Sequence, residues 1–352
     1  LRRLGAAREF EIDERKRIRD RLAPVSKLAW AVALVCTMAL GNVSAAEVTL
    51  RLGGPWTTGS NLHKGMEAFA QTLAAESKGR FEVKVFADSQ LGDIQQLLTG
   101  VQLGTIDLAY LAIGNAGQLK GGAPLNVAYV PHLFKSKGQA TETLNGPIFT
   151  EMYEAVAKGA GVRIFAVYGA RSPRAVQTVR GPIRKPEDLK GMRIRIPPID
   201  MLRASMEAAG AKPVPMGLSD VYMALSRGTI DGQENGFDAA IQFKWHEVAK
   251  FWSATDHVFE VAAWYMNERR WQAMKPEDRE LFRRAAKAGG QVATDLGEAL
   301  DREGIETLRK NGVTYVVPDM AAFNAAWADI YKPYEGKVWP DGLVERIRGT
   351  LR

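Results

Sequence analysis

Two stretches of the chain carry the residue types best suited to gripping an anion. In Pro186-Glu187-Asp188-Leu189-Lys190-Gly191-Met192-Arg193-Ile194-Arg195-Ile196-Pro197, strand geometry puts Arg193 and Arg195 on one face and Met192, Ile194 and Ile196 on the other. The apolar face anchors the strand while the other presents guanidinium groups. An arginine held near the end of such a strand meets a carboxylate with two parallel hydrogen bonds, which a lysine cannot reproduce. The same residues also fit a surface strand with solvated arginines. The second stretch is Gly228-Thr229-Ile230-Asp231-Gly232-Gln233-Glu234-Asn235. Polar residues at this density, directly after an apolar helix, suit a strand end facing the crevice where open α/β sheets bind ligands. There Asn235 would donate an amide N–H to a bound oxygen. Composition alone favours a Gly-Asn-rich turn.

Catalytic chemistry has little support. His63, His132, His246 and His257 form no close metal spacing, and the nucleophile-elbow, zincin, dinucleotide and P-loop motifs are missing. Paired carboxylates occur in any protein, and nothing here singles out a pair. We therefore expect a binder, with no metal and no cofactor.

The elements that position these residues begin after a leader. Arg15, Lys16, Arg17, Arg19, Arg21 and Lys27 precede the uncharged run Leu28 to Leu40, followed by small residues ending Val43-Ser44-Ala45-Ala46. A basic region, a short apolar core and an Ala-containing cleavage site make up a secretory signal. The run is too short to span a bilayer, which takes roughly 20 apolar residues. Residues 1–46 are thus expected to be removed by cleavage near Ala45 or Ala46, leaving the protein in the periplasm. With them go nine Lys/Arg and five Asp/Glu, so the formal charge falls from +7 to +3. No dense basic run remains, and nucleic-acid binding is not expected. Cys36, the one cysteine, leaves with the signal. The hydrophobic fraction of 46% and charged fraction of 25% belong to an ordinary globular protein and argue against disorder.

From Glu47 short apolar runs alternate with amphipathic segments. Val48 to Leu52, Phe81 to Phe86 and Ile106 to Ala112 read as strands, with helices over Leu62 to Ser77 and Gly92 to Leu103 between them. This order implies a parallel sheet with helices on both faces. It restarts with strands at Val162 to Tyr168 and Met192 to Ile196, helices over Met201 to Ala209 and Leu218 to Ser226, and a short strand at Thr229 to Gln233. His257 to Met266 reads as a strand linking the halves. A helical pattern runs from Pro276 to about Asn311, long enough to cross both domains. Gly289-Gly290 leaves open a break into two helices. One strand, Thr314 to Val317, and one helix, Met320 to Tyr331, end the pattern.

Taken together, several blocks closely resemble the DctP-type extracytoplasmic binding subunits of TRAP (tripartite ATP-independent periplasmic) transporters. They are Ser89-Gln90-Leu91-Gly92; Pro186 to Gly191 with Arg195 and Pro197; Gly210-Ala211 followed by Pro213-Val214-Pro215-Met216; Ser219 to Leu225; and Asp231-Gly232-Gln233-Glu234-Asn235. The resemblance implies the two-domain periplasmic binding protein fold, with a ligand cleft between α/β domains, a long helix spanning both, and closure on the ligand. It implies a small organic acid as ligand and delivery to membrane permease subunits driven by an ion gradient. The expected domains are 47–169 with 261–299 and 170–260 with 300–352, and the expected state is a monomer. Arg195 matches the family's carboxylate-binding arginine, and Asn235 a frequent polar contact. Aligned back from Arg195, Arg174 falls where many members carry a second ligand-facing arginine. Arg171, in Gly169-Ala170-Arg171, competes for that role, and Arg174 is preferred. A periplasmic sensor subunit presenting its ligand to a membrane receptor would share the fold.

Departures from the family pattern bear on the substrate. Leu218 stands where many members place an aromatic residue, and Gly236 replaces a proline, so the pocket wall there should be roomier. Glu234-Asn235 replaces the Glu-Trp of metal-dependent members that bind 2-oxo acids, which argues against a bound metal. Trp56, Tyr110, Phe237 and Trp245 are candidate cleft aromatics, since ligand pockets are largely apolar, although most buried aromatics are simply core.

Overall fold

The computed structural model describes residues 46–351; the leader and Cys36 lie outside the described residues. The sequence Val48-Thr49-Leu50-Arg51-Leu52 alternates as a half-buried strand should, and Leu50 and Leu52 are fully buried. This strand, β1 (Val48–Gly53), pairs in parallel with β2 (Phe81–Phe86) and β3 (Leu108–Ala112). The sheet is completed by β4 (Val162–Ala170) and by β10 (Val261–Asn267), in the order β2-β1-β3-β10-β4. The second sheet has the order β11-β9-β5-β8-β6-β7, built from β5 (Arg174–Thr178), β6 (Arg193–Ile196), β7 (Lys212–Pro215), β8 (Gly232–Gly236), β9 (Phe251–Val258) and β11 (Thr314–Val316).

The molecule is thus two α/β domains, and both sheets are mixed rather than parallel. β10 runs antiparallel to β3 and β4, and β5 antiparallel to β8 and β9. The cause is the crossing of the chain. It leaves the first sheet after β4 and enters the second at β5, then returns from β9 to β10. The single strand expected from His257 to Met266 is therefore two, separated at Phe259-Glu260.

The long helix is continuous, Pro276–Lys310, 35 residues, or about 50 Å at 1.5 Å per residue. Phe282, Ala285, Ala286 and Ala293 on it pack into the first sheet's core, and Leu308 into the second's. The paired glycines do not break it because they are needed for close approach. A Cβ on Gly290 would lie 2.2 Å from that of Tyr168, and one on Gly289 2.5 Å from the Gly65 carbonyl.

The tail is shared between the sheets. β11 pairs with β9 and helix Met320–Trp327 lies against the second sheet's elements. Trp339, Leu343, Val344 and Ile347 instead bury with side chains of β3, β4 and β10. Helices Lys137–Leu144 and Pro147–Ala160, which the pattern reading passed over, also cover the first sheet. No helix among the described residues is long and apolar enough to cross a membrane.

Candidate functional site

β6 is positioned by its apolar residues, Ile194 and Ile196, both buried. Its two arginines meet different fates. Arg193 is taken by Asp231, with Nε and Nη2 donating to the carboxylate at 3.0 and 2.9 Å. That hydrogen bonding holds the Asp231 carboxyl down at about 2. Arg195 is 2% exposed, and its Nε and Nη2 both donate to the Met216 carbonyl oxygen, at 3.0 and 2.8 Å. Its Nη1 is buried and has no hydrogen-bond partner among the described residues. Burial pulls the guanidinium down to about 10, opposed by Glu234 nearby. A cation in this state is costly to hold out of water unless something anionic completes it.

Beside it lies a saturated ionic network. Arg174 makes a bidentate pair with Glu234, at 2.8 Å on both sides, and reaches both Glu260 oxygens at 3.1 Å. Arg171 pairs with Asp238 at 2.9 and 3.1 Å and with Glu260. Tyr129 closes the network, its hydroxyl donating to Glu260 Oε1 at 2.5 Å. Burial is the largest single influence and raises the carboxyls of Glu234 and Glu260, but Arg174 with His257 at Glu234, and Arg174 with Arg171 and Tyr129 at Glu260, together bring both below the usual range. His257 Nε2 sits 3.4 Å from Glu234 without forming a hydrogen bond. Burial pulls its imidazole below the usual value, against the raising effect of Glu234.

β8 explains how so polar a strand can be central. Its residues Gln233, Glu234 and Asn235 are all buried, and each finds a partner. Gln233 donates to Gln177 at 3.0 Å, Glu234 takes Arg174, and Asn235 Oδ1 accepts from Arg171, Arg174 and the Gly236 N–H. Tertiary pairing here overrides the weak strand propensity of Gly-Gln-Glu-Asn-Gly, and the expected strand moves from Thr229–Gln233 to Gly232–Gly236. The Asn235 side-chain N–H groups make no hydrogen bond among the described residues.

Two cavities open on this cluster. The smaller, about 30 Å³, is lined by Trp56, Leu218, Asn235, Glu260 and all three arginines, with room for a water or a ligand oxygen. The larger, about 310 Å³, is walled by Arg195, Asn115, Pro197, Met216 and Leu218 among others. Arg195 stands in both walls. Arg171 and Arg174 are not alternatives, since both face the smaller cavity, but each is already paired with two carboxylates. Trp56 donates its indole N–H to the Tyr110 carbonyl at 2.8 Å and carries Arg171 over its ring at 5.1 Å.

Tyr110 and Phe237 line neither cavity, contrary to the expectation for cleft aromatics. Tyr110 lies in the middle of β3, stacked on Trp264 at 4.0 Å with its hydroxyl donating to the Tyr168 carbonyl. Phe237 packs edge-on against Trp252 and closely beside Gly304 of the long helix. Trp245 stacks on Phe243 in the same core. Glu260, Tyr129 and Asn115 went unnoticed in the sequence. Only Glu260 left a signal there, as a lone acid between the apolar runs Val258-Phe259 and Val261-Ala262-Ala263-Trp264.

Residues 52–337 match the model of bacterial extracellular solute-binding protein, family 7, called DctP. The chain belongs to the DctP family. DctP proteins are solute carriers rather than enzymes, and they act outside the cytoplasm. This DctP protein is 31% identical over 307 residues to the solute-binding protein RD1_1052 of Roseobacter denitrificans, covering 86% of this chain and 93% of that one. It is 29% identical over 317 residues to the 2,3-diketo-L-gulonate-binding periplasmic protein YiaO of Escherichia coli strain K12, covering 90% and 95%. Among solved structures, the TRAP periplasmic solute-binding protein of Ochrobacterium anthropi with bound L-fuconate superposes with a TM-score of 0.80 at 28% identity, over 87% of this DctP chain and all of that one. The RD1_1052 structure, with bound L-galactonate, gives 0.78 at 29% identity, over 86% and 99%.

Proposed function

We propose that this DctP protein captures a small sugar acid in the periplasm and delivers it to the permease subunits of a TRAP transporter. The observation that carries the reading is the unpartnered Nη1 of buried Arg195, facing two cavities and lacking a carboxylate of its own. The acid's carboxylate supplies the missing acceptor, and the planar guanidinium gives it directional bonds. Asn235 adds an amide N–H, Leu218 and Trp56 form apolar walls, and the body of the ligand occupies the larger cavity. Arg171 and Arg174 then act as the frame that orients Asn235, their own charges being met by Glu234, Asp238 and Glu260.

The sugar-acid assignment is supported by the neighbours that bind L-fuconate and L-galactonate and by neutral polar groups such as Asn115, Gln118 and Ser219 in the larger cavity's wall. Capture proceeds by hinge closure at the two crossings, 171–173 and 259–260, in the manner of periplasmic binders. The exported form begins near Ala45 or Ala46 and is a monomer.

A thermal-shift screen of aldonic and uronic acids tests the reading. A ligand at about a hundred times its dissociation constant adds roughly 2.7 kcal/mol of stability, so a true ligand raises the midpoint clearly. A screen in which no organic acid does so would sink it.

A further inference from the structure

The wall of the larger cavity carries charges that the carboxylate grip does not use. It includes Asp93, from the first domain, and Asp220, from the second. Among the described residues of that wall, Arg195 is the only cation. Neither aspartate forms an ion pair among the described residues.

Asp93 is further committed as the cap of helix Ile94–Leu103. Its Oδ1 accepts from the Gln96 N–H at 2.8 Å, and Gln96 Oε1 accepts from the Asp93 N–H at 2.8 Å. The partial positive charge at that helix start, which would otherwise draw an anion, already faces the protein's own carboxylate. The cavity wall thus carries one buried cation, with Nη1 open, and two carboxylates that form no ion pair among the described residues.

We infer that Asp93 and Asp220 make the site selective for acids that carry a single carboxylate and a neutral, hydroxylated tail. The inference rests on the proposed docking of a carboxylate on Arg195. A tail hydroxyl donates to an aspartate in a charge-assisted bond. A second carboxylate in the same place offers no proton to share and meets like charge from both domains as they close, with no local cation to offset it. This is selection by repulsion, which discriminates between ligands whose favourable contacts are otherwise the same.

The test compares ligands that differ only at the terminal carbon. Calorimetry on the mature protein would use L-galactonate against galactarate, and D-erythronate against meso-tartrate. For the acids that bind, the monoacid should be tighter than its diacid by at least about tenfold, given the cost of like-charge juxtaposition. The double variant Asp93→Asn with Asp220→Asn should bring the ratio within about threefold by strengthening the diacid. Asparagine caps a helix as well as aspartate, and the single Asp220→Asn variant, in an exposed turn, should shift the ratio part of the way. Diacid binding equal to or tighter than the monoacid's, or a ratio unchanged in both variants, would overturn the selectivity. If such diacid binding were lost in Arg195→Lys, the proposed function would stand without it. Uptake of neither member of either pair, with no other acid binding, would overturn both.

Discussion

Arg195 donates twice to the carbonyl oxygen of Met216, from Nε at 3.0 Å and Nη2 at 2.8 Å, and this fork fixes the guanidinium plane while leaving Nη1 unused. A carbonyl orients the group without neutralising it, so the cation stays available to an incoming anion. Lysine cannot hold that fork and present a second donor at once. Arg195→Lys should therefore weaken acid binding by about two orders of magnitude or more, in line with truncation of a buried charged contact. Calorimetry on the folded variant checks this, and unchanged affinity would refute the arginine's role.

The same isolation makes Arg195 costly to the ligand-free protein. Replacing it with methionine, of similar reach and no charge, should abolish binding and raise stability by about 1–3 kcal/mol, as replacement of buried ionic groups by apolar ones can do. For a chain of this size that amounts to a few degrees in the melting midpoint. A lower midpoint in Arg195→Met would show that the unpaired cation is not a source of instability.

Glu260 behaves in the opposite way, because it holds two arginines together with Tyr129 at the crossing between β9 and β10. Glu260→Gln leaves Arg171 and Arg174 short of a counter-charge in a buried place. The expected cost is about 3–5 kcal/mol, read by urea unfolding, and stability within 1 kcal/mol of the parent would count against the network as drawn.

Asp231 gives the pH dependence a definite sign. Its carboxyl is lowered from 3.8 to about 2 by hydrogen bonds from Arg193. A depressed carboxylate stabilises the fold above its unfolded value, and that contribution fades as pH falls through 3.8 and is gone below about 2. With Arg193 partly in water, the contribution comes to about 1–2 kcal/mol after screening. Asp231→Asn should cost that much at pH 6 and almost nothing at pH 2, measured by denaturant titration at each pH.

How far the sequence showed these features depended on the range of the forces involved. Strand alternation is local, and it brought out Arg195 with its anchoring Ile194 and Ile196. The pairing of Arg174 with Glu234 and Glu260 spans 60 and 86 residues, and no periodicity records it. Arg171 and Arg174 therefore read as free cations when both are paired. Tyr110 and Phe237 looked like cleft aromatics because an apolar run does not say which face of a sheet or helix meets the core. β8 looked like a turn because Gly-Gln-Glu-Asn-Gly becomes a strand only when distant partners such as Gln177, Arg171 and Arg174 meet its buried polar side chains.

The glycines of the helices separate packing from propensity. Gly290, inside the long helix, has no room for a methyl group, since an added Cβ would lie 2.2 Å from Tyr168 Cβ and 2.6 Å from its backbone carbon. Gly349, in the helix Leu343–Thr350, has nothing within 4 Å of the same position. Alanine is the better helix former by up to about 1 kcal/mol, so Gly349→Ala should be neutral or stabilising by that amount. Gly290→Ala should instead destabilise by about 1–3 kcal/mol, because backbone and a β-carbon must shift to admit it. Thermal or chemical denaturation of the two variants side by side gives the signs, and a stable Gly290→Ala protein would mean that the long helix does not press on β4 as closely as its glycines imply.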